Sequence, residues 1–315
     1  MAGVRLGILP WSQATDWASL ESVARRAEAL GYEHVWAWDH LHAIFGDPDQ
    51  PIFEGWMTLA AWAEVTERVR LGLLVGANTF RNPGVVAKMA TTLDHISRGR
   101  AILGLGGAWF GHEHRAHGLD FGTGHGQRLD WLHEAVAAMR TVLDGEAATS
   151  PPGGRYRFDH LQQLPRPVQP HLPIMIGGSG EKKTLRTVAM YADMWNAMGS
   201  TEFLRHKVSV LEEHCAAVGR DITEIELTVG CKPVIRNTEA EARRAWEAQM
   251  AHNRTPMREV ADDDTFWIGT PDQIAARMVE ARSLGFDTFI AEVAAPYDAE
   301  TLERWIGEVK PMVEG

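Results

Sequence analysis

The chain has 315 residues, 45% of them hydrophobic and 23% charged, and carries a formal net charge of −11. This is the composition of a globular protein with a large core, and the acidic balance argues against charge-driven binding of nucleic acid or an anionic membrane. Two cysteines, Cys215 and Cys231, make neither a disulfide scaffold nor a zinc ribbon, and with no leader and no membrane-length apolar run in view a cytoplasmic protein is expected.

Strands and helices alternate along the chain. Val4 to Pro10 reads as a strand, Asp16 to Leu30 as a helix ended by Gly31, and His34 to Trp38 as a second strand. A helix around Glu54 to Thr66 returns to an apolar strand, Leu71 to Ala77. Asn82-Pro83 then offers an N-cap with proline at the first helical position, and Val86, Met89, Ala90, Leu93 and Ile96 recur at helical spacing until Gly99. Ala101 to Leu105 is a fourth strand, followed by a long loop and a helix from about Gln127 to Leu143. Residues 145 to 172, rich in proline and glycine, read as an insertion with hairpin character. Pro173 to Ile176 and Met194 to Ala197 are the fifth and sixth strands, and the turn and helix of 177 to 192 lie between them. A helix from Thr201 to Val218 precedes a seventh strand, Glu226 to Ile235, and a helix from Glu239 to Met250. Residues 252 to 268 contain Asp262-Asp263-Asp264 and read as a solvated loop. Pro271 to Leu284 is helical, Phe286 to Glu292 is the eighth strand, and Ala299 to Met312 closes the chain with a helix.

Eight strands alternating with helices predict a single (β/α)8 TIM barrel domain over residues 1–315, with loop insertions. An internal echo supports closure. AEALGYEHVW (27 to 36) and ARSLGFDTFI (281 to 290) repeat one helix-to-strand junction near opposite ends of the chain.

In such a barrel the chemistry belongs at the carboxyl ends of the strands. Asp39-His40 follows the second strand directly, and a histidine there suits a general acid or base, or serves as an ordinary loop residue beside a capping aspartate. Asn78 and its neighbours lie beyond the third strand. Gly106-Gly107-Ala108, after the fourth, admits a close approach to the backbone by a flat ring or phosphate, although GLGGAWFG fails the dinucleotide fingerprint. Gly177-Gly178-Ser179-Gly180 opens a helix whose first turn holds Lys182 and Lys183, which makes a phosphate cradle or a plain flexible turn. His112, His114 and His117 cluster in GHEHRAHG. Flanking glycines argue for a polar loop lining a pocket, and no metal is expected there.

The segments VWAWDH (35 to 40), LGLLVGANTFRNPGVVAKMATTLDHISRGRAILGLGGAW (71 to 109), PIMIGGSGEKKTLRTVAMYADMWN (173 to 196), LRHKVSVLEEHCAAVGRD (204 to 221) and WIGTP (267 to 271) carry a resemblance. Together they resemble the luciferase-like monooxygenase superfamily, in its branch of oxidoreductases that use the deazaflavin coenzyme F420. The resemblance implies a bacterial-luciferase-like barrel, usually a homodimer. It also implies a deazaflavin at the strand ends (FMN being the alternative), a small-molecule substrate, and a separate F420 or flavin reductase as a partner. It further implies a non-proline cis peptide or bulge in the third strand, here at Leu74-Val75, behind the central ring. By the same resemblance Asp39 and Asn78 contact the ring edge, Gly107 and Ala108 the ring or phosphate side, and Gly177, Gly178 and Ser179 the phosphate. His40 matches the acid/base histidine of the sugar-phosphate dehydrogenases of that branch. Those enzymes carry Trp where this chain has Ile44 and Glu where it has Trp109.

The expected activity is therefore hydride transfer between deazaflavin C5 and a small organic molecule. An FMN-dependent monooxygenase and a non-catalytic flavin binder are its rivals.

Overall fold

The computed structural model of the chain describes residues 3–315. Strand β1 (Arg5–Pro10) leads to helix α1 (Trp17–Leu30), β2 (His34–Ala37) to α2 (Gly55–Val65), and β3 (Arg70–Leu73), with its continuation β4 (Gly76–Ala77), to α3 (Pro83–Ile96). Next come β5 (Ala101–Gly106), α4 (Gly111–His117), α5 (His125–Leu143), β6 (Ile174–Gly177), α6 (Thr184–Tyr191), β7 (Met194–Ala197) and α7 (Thr201–Val218). The last part holds β8 (Glu226–Ile235), α8 (Glu239–His252), β9 (Phe266–Gly269), α9 (Pro271–Arg282), β10 (Phe286–Val293), α10 (Ala299–Arg304) and α11 (Lys310–Glu314).

Strands β1, β2, β3, β5, β6, β7, β8 and β10 pair in parallel, and β10 meets both β8 and β1. Among the described residues this ring of eight closes, as a (β/α)8 barrel requires. Alternation along each strand divides the core into two layers. Trp36, Ile102, Met175 and Met194 fill the barrel interior, whereas Val35, Leu103, Ile174 and Ile176 pack outward against the helices.

Local sequence sets the element ends. Asp16 caps α1 by accepting from the Ser19 N–H at 2.8 Å, and Asn82 caps α3 through the Gly84 N–H with Pro83 in the first turn. The echoed junctions are the same structure twice: Gly31 and Gly285 hold φ of 93° and 94°, and Tyr32 and Phe286 behind them are buried. No helix among the described residues is long and apolar enough to cross a membrane.

The non-proline cis peptide expected at Leu74–Val75 is present, and it divides the strand read as Leu71 to Ala77. Three expectations need correction. Residues 111–117 are helical rather than a loop, because Gly118 ends the helix in the left-handed region (φ 67°) and so acts as its C-cap. The supposed loop 252–268 carries most of β9, whose Phe266 and Trp267 are buried and which pairs with the far half of β8 from Lys232↔Phe266 to Ile235↔Gly269. The hairpin character of the insertion 145–172 is confined to the stretch where Ala148 pairs antiparallel with Leu161 and the Ser150 N–H donates to the Phe158 carbonyl.

Candidate active site

A cavity of about 550 Å³ opens at the carboxyl ends of the strands. Its floor is the broken third strand. Three residues separate Gly72 from Gly76, while two separate their partners Ile102 and Leu105 on β5, so one extra residue bulges toward the barrel axis. Leu74 and Val75 line the cavity from this bulge.

The bulge explains the small residues opposite. A side chain at Gly104 would overlap the Leu73 carbonyl, and a Cβ at Gly106 would stand 2.6 Å from Val75. The protein itself therefore takes the space beside these two glycines, where the sequence suggested a ring or phosphate. The backbone of Gly107 and Ala108 still borders the cavity, and Arg128 steadies it by donating to the Ala108 carbonyl at 3.2 Å.

Asp39 lies just past β2 and is buried. Its carboxylate accepts from the Ala77 N–H (2.8 Å) and from the Arg81 guanidinium (2.8 and 3.0 Å), and Arg81 also reaches Glu54 at 2.8 Å. Burial pushes this carboxyl up, and Arg81 works against that. Asp39 thus ties the end of β2 to the bulge and to the start of α2.

The carboxylate that His40 meets is a different one. Its Nδ1 stands 3.2 Å from both oxygens of Glu113, a side chain with 1% exposure that also accepts from the Leu41 N–H. Trp38 and Trp109 flank the imidazole edge-on. A histidine whose Nδ1 is fixed this way presents Nε2 as its working nitrogen. Glu113 was visible in the sequence only as one member of the histidine-rich run; its helix carries it to His40.

The remaining expected residues divide. Asn78 is turned aside: its amide donates to the Tyr156 hydroxyl at 3.0 Å, and it lines a separate shallow depression. Gly177, Gly178 and Ser179 border the cavity, but the Gly178 N–H already donates to the Asn196 carbonyl at 3.2 Å. Ser179 and the N-terminus of α6 are left as the anion-facing groups. The N-terminus of α5 adjoins them through His125, and neither helix has a side-chain cap. Lys183 lies before α6 rather than in its first turn and spends its charge on Asp130 at 2.7 Å and on the Gly126 carbonyl.

Two buried charges of the cavity wall escaped the sequence reading. Lys232 on β8 and Glu292 on β10 are 7% and 8% exposed and lie on the wall away from the Ser179 turn. Lys232 donates to Thr265 at 2.5 Å. Burial pushes the Glu292 carboxyl up, and the Lys232 charge partly offsets it. The signal was present: each is a charge within an apolar barrel strand, near its carboxyl end.

The three histidines of α4 do not share one point: His112 and His117 lie against His42, and His114 faces away from them. His114 is fully buried, with Nε2 2.6 Å from the Thr79 hydroxyl and Nδ1 3.0 Å from the Phe110 carbonyl.

Residues 5–288 match the protein family described as luciferase-like monooxygenase. An uncharacterized protein of Mycobacterium tuberculosis is 31% identical over 228 residues, which cover 68% of this chain and 79% of that one. An F420-dependent hydroxymycolic acid dehydrogenase of the same organism is 29% identical over 70% of this chain and 60% of its own length. Among solved structures, an F420-dependent secondary alcohol dehydrogenase in complex with an F420-acetone adduct superposes with a TM-score of 0.83, at 19% identity and over 100% of both chains. A long-chain alkane monooxygenase superposes with a TM-score of 0.79 at 17% identity, over 99% of this chain and 91% of that one.

Proposed function

This chain belongs to the luciferase-like monooxygenase family, and on that premise we propose that it is an oxidoreductase moving a hydride between C5 of coenzyme F420 and a small organic substrate. The observation that carries the reading is His40, held through Nδ1 by the buried Glu113 on the wall of the strand-end cavity. A group fixed in this way moves a proton to or from a substrate while a hydride moves on the other side of it.

The cavity fits a deazaflavin or flavin. Its volume of about 550 Å³ lies within the usual range for cofactor sites, roughly 300–1,000 Å³. Leu74, Val75, Gly107, Ala108 and Gly177 would hold the ring system. Ser179 and the uncapped N-terminus of α6 would hold the phosphate, with Gly178 shaping the turn beside them. Asp39 would act at one remove, by fixing the bulge. When bound, the deazaflavin supplies the hydride chemistry.

The chain's own contribution is position and protonation. His40 Nε2 is the proton-transfer atom, and Glu113 sets its tautomer. Trp38, Ile44, Phe45 and Trp109 make an apolar wall that keeps water from the substrate. Lys232 and Glu292 would meet the polar end of the substrate from the eighth-strand side. The F420-dependent dehydrogenase of M. tuberculosis, 29% identical, supports the choice of cofactor.

Spectral titration of the purified apoprotein with F420 and with FMN tests the reading. Saturable F420 binding that is at least about tenfold tighter than FMN binding is expected, and Ser179→Asp should weaken it by setting like charge against phosphate. Tighter binding of FMN would replace the proposal with the flavin-dependent monooxygenase.

A further inference from the structure

The fold brings together a set of ligating side chains that no single stretch of sequence contains. His42 and Asp49 come from the loop between β2 and α2, and His112 comes from the first turn of α4. One ligand atom from each lies within 4.8 Å of the other two. The His42 and His112 rings are 4.8 Å apart, centre to centre and nearly perpendicular, and the His117 ring is 5.4 Å from His42.

The orientation of His42 is the second observation. Its Nδ1 is 3.2 Å from the Pro48 carbonyl. Donation to that carbonyl places the free lone pair on Nε2, the tautomer a metal ion requires and the backbone contact that ligating histidines use. His112 is half-buried and stacks against Phe110. Two neutral imidazoles and a carboxylate form a nitrogen-and-oxygen donor set suited to zinc and neighbouring first-row divalent ions, but not to magnesium or calcium.

We propose that His42, Asp49 and His112 form a binding site for a zinc-class divalent cation at the rim of the cavity. Small side-chain rotations bring the three ligand atoms onto an ion with bonds of about 2 Å. The ion clasps the β2–α2 loop to α4. These are the segments that carry His40 and Glu113, and Glu113 already bonds the Leu41 N–H beside the loop ligand. No step of the reaction passes through the ion. The site stands whichever ring cofactor the cavity takes.

Calorimetric titration of the chelator-treated full-length protein with zinc chloride, with magnesium chloride as the control, tests the site. One equivalent of zinc is expected to bind with micromolar or tighter affinity and to raise Tm. His42→Ala and His112→Ala should each weaken binding at least about tenfold, while His160→Ala, far along the chain, should not. Should either alanine variant fail to fold, Asp49→Asn and the visible spectrum of the cobalt-substituted wild type carry the test. Weakened zinc binding in Asp49→Asn and a low-symmetry cobalt spectrum are then expected. Absence of a saturable 1:1 complex at millimolar zinc would overturn the proposal, as would zinc affinity unchanged in the loop and helix variants.

Discussion

The two ends of the barrel both carry charge on their strands, and they treat it differently. At the amino-terminal end Arg5 donates to Glu226 (3.1 Å) and to Thr288 (3.0 Å), and the Thr288 hydroxyl also donates to Glu226. At the carboxyl end, Lys232, Glu292 and the His40–Glu113 pair border a cavity, where His40 and Glu292 retain capacity for a further partner. Charges that satisfy one another hold a structure together. Buried charges facing open space are kept for a ligand at some cost in stability.

The largest test of this contrast is at the open end. His40→Ala should lower kcat by ~10²–10⁴ while leaving affinity for the ring cofactor nearly unchanged. Steady-state kinetics on a turned-over substrate, with cofactor titration of the same variant, checks this. A wild-type kcat would remove His40 from proton transfer, and a joint rise in KM and cofactor Kd would mark it as packing only.

The next test belongs to the closed end. His34 is 2% exposed, and its pKa is pushed down to about 3 by burial, with Arg70 and Arg5 adding to the effect. The unfolded chain takes up this proton near the ordinary histidine value of about 6.5, and the folded one does not. The contribution of His34 is therefore complete above that value. It declines as pH falls toward about 3, by up to ~1.4 kcal/mol per pH unit. Urea midpoints measured across this window should show the decline, and His34→Gln should flatten it.

The smallest test sets one carboxylate against another. Glu226→Gln should cost about 1 kcal/mol, a modest figure because the Arg5–Glu226 pair is partly open to solvent. Glu292→Gln should instead stabilise the fold at neutral pH, since a carboxyl whose pKa is raised on folding opposes the fold when ionised. Chemical denaturation of both variants at one pH reads the opposite signs directly.

What could be read from the sequence divides along the same line. Regular features were legible: the strand and helix alternation, the Gly31 and Gly285 junctions, and the Asn82-Pro83 cap all depend on residues close together in the chain. The Leu74–Val75 break was expected from the family resemblance alone, since an apolar run looks the same whether straight or bulged. Partnerships across the chain were not legible. Asp39 stands beside His40 in sequence, yet folding gives Asp39 to Arg81 and gives His40 to Glu113, 73 residues away. The short β9 was hidden because its acidic approach, Asp262 to Asp264, outweighed four residues of strand, and α4 because glycines at both ends read as loop.

The pairing of Ile235 with Gly269 has a consequence for how this architecture changes over time. The chain leaves the barrel after β8 and returns one strand-spacing away, having made α8 and β9 between. A segment whose two ends are already adjacent can be exchanged as a cassette, because a replacement of different length pays only a slowly growing closure entropy. Its payload is selective: Trp246, Met250, Val260 and Phe266 plug the upper barrel, and Thr265 supports Lys232. Grafting this excursion between related barrels should therefore reshape the upper cavity while the bulged floor at Leu74–Val75 stays intact.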